Sequence, residues 1–100
     1  MLKELEMKSI ITSCKECYIC NSPNVELHHI FFGTGNRKIS DKYGLVVYLC
    51  SEHHRGQSGV HGGNRDLDLD LKRRGQRAFE RKYSHKQFME LIKKNYLTSE

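Results

Sequence analysis

The sequence predicts a small α+β fold in one domain, and three observations carry that reading. Two short runs rich in β-branched and aromatic residues, Val25–Phe32 and Leu45–Leu49, have the composition of strands. From Asp66 onward the apolar residues recur at helical spacing instead. Only 37% of the 100 residues are apolar and none is Trp, so the core is thin, and four Cys and six His point to a bound metal as its staple.

Residues 1–13 carry apolar side chains at Leu2, Leu5, Met7, Ile10 and Ile11, a pattern that suits a short helix or a strand. Cys14–Asn24 packs three Cys ahead of the turn-forming Asn-Ser-Pro-Asn and reads as a metal knuckle. Gly33–Gly44 reads as a polar loop with three Gly, and Leu45–Leu49 as a buried strand. Cys50–Arg55 reads as one short helical segment, and the Gly-rich Gln57–Asn64 as a loop. Leu67, Leu71, Ala78, Phe79 and Tyr83 then define a helix that Asn64 or Asp66 can cap. Ser84-His85-Lys86-Gln87 has the form of a capping box and opens a second helix carrying Phe88, Leu91, Ile92 and Tyr96.

Lys and Arg number 17 against 12 acids, giving a formal charge of +5. That excess favours a polyanionic partner, because each neutralised phosphate releases counterions. The basic residues concentrate in the C-terminal helices, where Lys72 to Lys94 are opposed only by Glu80 and Glu90. Such a face either is simply solvated or tracks phosphates. The N-terminal residues do not resemble a signal peptide and no apolar run matches the thickness of a bilayer, so a cytoplasmic protein without a membrane partner is expected. In that compartment clustered Cys bind metal more often than they pair.

Cys17-Tyr-Ile-Cys20 and Cys50-Ser-Glu-His53 form two two-ligand knuckles with 29 residues between them. Three thiolates and one imidazole make a closed tetrahedral set for structural Zn²⁺. Cys14-Lys-Glu-Cys17 has the same spacing, but the turn residues directly after Cys20 favour Cys17 and Cys20, leaving Cys14 spare. Five of the six His lie between positions 28 and 61. His28 and His29 are adjacent on a strand and should point to opposite faces. His54 is rotated by about 100° from His53 on a helix, so one can face the zinc and the other the strand.

Cys17-x-x-Cys20, then His28-His29-Ile30, then Leu45-Val-Val-Tyr-Leu-Cys50-x-x-His53-His54 resembles the HNH endonucleases. Within that family His28–His54 is similar to phage and prophage proteins linked to recombination. The resemblance covers about residues 17–61. It implies a zinc-stabilised ββα-metal (HNH, or His-Me finger) core at about 14–61, followed by basic helices at about 66–96. It implies that His29 is the general base, a task suited to a side chain titrating near neutrality. It implies further that His28 and His54 bind one catalytic divalent cation, Mg²⁺ or similar. The family's middle Asn is absent: Tyr43, Gly44 and Leu45 occupy its region, Asn36 lies too early, and Ser40 or Asp41 are left to take its part.

The function so implied is hydrolysis of DNA phosphodiester bonds by a metal-dependent endonuclease. The alternative is a zinc-stabilised nucleic-acid-binding module without catalysis. His61 is open between a third metal ligand, a phosphate contact and an ordinary loop residue. Arg37, Lys38 and Arg55 are candidates for gripping the scissile strand, against a role as solvated loop charges. The partners implied are DNA, single strands or recombination intermediates among them, and a recombinase or other phage or host protein.

Overall fold

Two strands and the segments that return from them set the architecture of the computed structural model, which describes residues 9–97. β1 (Glu26–His29) and β2 (Val46–Leu49) pair antiparallel, with Glu26 opposite Leu49 and His29 opposite Val46. Val46, Val47 and Leu49 are fully buried, as the continuous apolar run of β2 requires. The fold is therefore α+β, with one two-stranded sheet and helices around it.

The connection between the strands is not a loop. Residues Asn36–Tyr43 form helix α1, bracketed by Gly35 (φ 85°) and Gly44 (φ 73°). The polar sequence hid it because eight residues leave room for only one apolar pair, Ile39 and Tyr43, at i and i+4. Tyr43 packs edge-on to Phe79, and Ile39 leans on the core. Ser40, fully buried on α1, accepts from the Phe31 N–H (3.0 Å) and donates to the Phe31 carbonyl (2.7 Å), fixing the chain just beyond β1.

After β2 comes α2 (Ser51–His54), a single turn begun by Cys50 in extended conformation. A 3-10 turn at Val60–Gly62 interrupts the segment read as loop, with Val60 buried in the core. α3 (Arg65–Lys82) is capped by Asn64, whose side chain accepts from the Leu67 N–H, and Asp66 sits in its first turn. α4 (His85–Ile92) is capped by Ser84, which accepts from the Gln87 N–H as the capping box predicts. Tyr96 falls outside α4, because Lys93 turns left-handed (φ 68°) and ends it. Gln76, buried on α3, then accepts from the Tyr96 N–H (2.8 Å) and brings that ring against Phe31.

Of the predicted N-terminal element, Leu2, Leu5 and Met7 lie outside the described residues. Residues 9–13 form neither helix nor strand; Ser9 Oγ donates to the Val46 carbonyl and Ile10 N–H to that of Gly44, clipping this segment to β2. Phe31, Phe79, Phe88, Leu45, Leu49 and Leu71 anchor the core between the hairpin and helices α3 and α4. Among the described residues no helix is long and apolar enough to cross a membrane.

Candidate functional site

The first knuckle closes as the sequence suggests. Asn21 adopts the left-handed conformation (φ 66°) and its N–H returns to the Cys17 carbonyl (2.8 Å), curling Cys17 and Cys20 around one point. β2 delivers Cys50 to the same point, and the one turn of α2 adds His53. Sγ of Cys20 lies 3.8 Å from that of Cys50, and His53 Nδ1 lies 3.2 Å from Cys50 Sγ and 3.6 Å from Cys17 Sγ. Donors on a tetrahedron about 2.3 Å from a central ion stand about 3.7 Å apart. The Cys17, Cys20, Cys50 and His53 set therefore can hold a metal such as zinc. Burial acts to raise the Cys17 thiol, yet the backbone around Cys50, Cys20 and Ile19 outweighs it and brings the group down to about 6. Cys14 is exposed and outside this cluster.

A second group forms behind it. His28 from β1, His54 from α2 and His61 from the 3-10 turn bring one ring nitrogen each within 4.8 Å of the others. Their rings meet edge-on, with centroids 5.2 Å (His28–His54), 5.3 Å (His28–His61) and 4.9 Å (His54–His61) apart. His28 is 1% exposed, and neither of its ring nitrogens has a hydrogen-bond partner. An orphaned buried imidazole is costly unless something else occupies its lone pair. Burial first, then the charges of His54 and His61, hold His28 down at about 3, so it stands neutral with a lone pair to offer.

His61 reaches this group through two glycines. A Cβ on Gly59 would stand 2.7 Å from the Glu52 carbonyl oxygen, and one on Gly62 only 1.8 Å from that of Gly56. The loop can fold down on α2 only because both side chains are missing. Burial lowers the His61 pKa, against an opposing pull from Asp68.

Carboxylates brace the imidazoles. His54 Nδ1 donates to Glu26 Oε1 (2.7 Å), which leaves Nε2 for a metal. Arg55 completes the bracket, with Nε on Glu26 Oε1 (2.9 Å) and a second N–H on Oε2. The Arg55 hydrogen bonds, followed by that of His54, hold the Glu26 carboxyl down at about 2. His29 turns to α1 instead, its Nε2 2.5 Å from Asp41 Oδ1. The adjacent pair thus takes different partners, as alternation on a strand requires, yet both rings line one cleft of about 240 Å³. Phe32, Arg37, His54 and His61 also line it.

Of the three strand-gripping candidates, Arg37 alone reaches this cleft. Lys38 is exposed on α1 away from it, and Arg55 is spent on Glu26. Sequence reasoning missed Glu26, although its place two residues before His28 puts it on the same strand face. Comparison with family models, curated proteins and solved structures returned no match.

Proposed function

We propose that the protein is a metal-dependent endonuclease of the ββα-metal (HNH) type that hydrolyses DNA phosphodiester bonds. The observation that carries this reading is the His28, His54 and His61 group lying in one cleft with a fourth imidazole, His29, braced by Asp41. A site that only needed structural metal would have no use for a separately held, unligated His at its mouth.

With Nε2–H donated to Asp41, His29 keeps Nδ1 unprotonated, so it can take a proton from an attacking water. Asp41 aligns the ring and stabilises the imidazolium that follows. Ser40, two hydrogen bonds deep in the Phe31 backbone, stiffens the chain behind β1. Together these two residues fill the part of the absent Asn. His28, His54 and His61 would hold the divalent cation, with Glu26 fixing the tautomer of His54. When bound, the cation would supply positive charge to offset the negative charge that builds on the phosphodiester as it is cleaved. Three imidazoles suit a nitrogen-binding ion such as Mn²⁺, Co²⁺, Ni²⁺ or Zn²⁺; Mg²⁺ prefers oxygen ligands and fits this donor set poorly. Arg37, exposed at the edge of the cleft, is placed to meet a neighbouring phosphate.

The test is cleavage of supercoiled plasmid with Mn²⁺, Co²⁺, Ni²⁺ or Mg²⁺, beside EDTA and His29→Ala controls. Nicking or linearisation should vanish with EDTA and fall by about 10²–10⁴-fold in the variant. Cleavage by His29→Ala at the parent rate would remove the general base. A salt-sensitive gel shift with no cleavage under any metal would leave the protein a binding module.

A further inference from the structure

A second groove lies between α3 and the N-terminal segment. Ile11, Tyr18, Arg74, Arg77, Ala78 and Arg81 line its roughly 200 Å³, and it shares no residue with the imidazole cleft. Arg74, Arg77 and Arg81 stand at i, i+3 and i+7 of α3, which places them on one face. Ala78 between them is buried and small, so it forms a floor. Tyr18 forms the opposite wall: its hydroxyl accepts from Arg74 (3.4 Å), and the guanidinium carbon stands 5.9 Å from the ring centroid.

Among the described residues the charges in this groove are poorly compensated from within. Asp70 takes the Nε of Arg74 (2.8 Å) but does not line the groove. Glu80, the nearest acid in sequence to Arg81, is occupied by Gln76 and His85. Arg77 and Arg81 are exposed, and their side chains make no hydrogen bond or ion pair among the described residues. Three guanidiniums on one stripe repel each other unless an anion lies among them, and their forked donors match phosphate oxygens. From Arg74 to Arg81 the helix rises about 10.5 Å, long enough for the guanidiniums to meet more than one phosphate of a strand.

We propose that this groove is a second nucleic-acid contact, gripping two or three consecutive phosphates of a strand away from the imidazole cleft. The inference rests on nucleic acid being the ligand, as in the proposed function, but not on cleavage. A grip of this kind reads backbone rather than sequence.

The experiment is fluorescence anisotropy of a labelled 30-base-pair duplex and a single strand of equal length. The zinc-loaded full chain is titrated over a range of salt with no other divalent cation. Arg77→Ala/Arg81→Ala should weaken binding alike for unrelated sequences and reduce the slope of log K against log salt by about 2. The control is Arg73→Ala/Lys86→Ala, which removes two exposed charges that do not line the groove. Its slope should stay within about 0.5 of the parent, and melting curves should show both pairs folded. An equal loss of slope in the two pairs would reduce the groove to diffuse surface charge and overturn the proposal. So would an unchanged slope in the arginine pair, or a parent chain that binds polyglutamate but neither nucleic acid. His29→Ala should keep the parent slope whether or not the parent cuts, which separates this inference from the catalytic one.

Discussion

The two histidine-bearing clusters share the one-turn helix α2 and differ in what surrounds them. Cys17, Cys20, Cys50 and His53 form a complete four-donor set, three of them sulfur, with no place left over. His28, His54 and His61 supply three nitrogens beside an open cleft, so an ion held there keeps coordination positions for something else. Closed sets stabilise folds, while open sets do chemistry. His53 and His54, neighbours on a one-turn helix, belong one to each set.

The largest expected effect breaks the closed set. Cys50→Ala should lose its zinc, its helical circular dichroism and its cooperative melting, because in small domains zinc binding is folding free energy of about 10–16 kcal/mol. An unchanged melting curve would remove zinc from the account of the fold. His54→Ala should instead leave the melting transition of the zinc-loaded chain and lower bound metal from two equivalents to one, with loss of cleavage. If elemental analysis still finds two, the imidazole group is not a metal site. Glu26→Gln keeps the shape but weakens the brace on His54, and should reduce affinity for the second ion by about 10–100-fold in a competition titration. Cys14→Ser sharpens the contrast from the other side. Its zinc content should be unchanged and its stability within about 0.5 kcal/mol of the parent, since Cys14 is exposed and outside the cluster.

The readable parts of the fold were those with local signals. Ser84 and Asn64 cap their helices through side-chain oxygens, and those residue types announce it. Cys17-x-x-Cys20 announces its knuckle in the same local way. The unread parts depend on residues meeting across the chain. α1 is short, and its helicity is fixed by Tyr43 against Phe79 and Ser40 against Phe31, contacts that no window of sequence contains. Glu26 was silent because its partners, His54 and Arg55, arrive from a helix 28 and 29 residues later. The open question at His61 was likewise a question about a loop. Periodicity says nothing of where such a segment folds, whereas the close approach of Gly59 to α2 and of Gly62 to the Gly56 backbone just beyond it decides it.

The consecutive placement of His53 and His54 has a spectroscopic use. Both rings hang from one turn of helix only four residues long, so any twist needed to seat an ion among the imidazoles would be felt at the thiolate-rich set. Cobalt substituted at the thiolate-rich set would colour the protein, and its visible bands would serve as an internal gauge of whether the neighbouring imidazoles are filled.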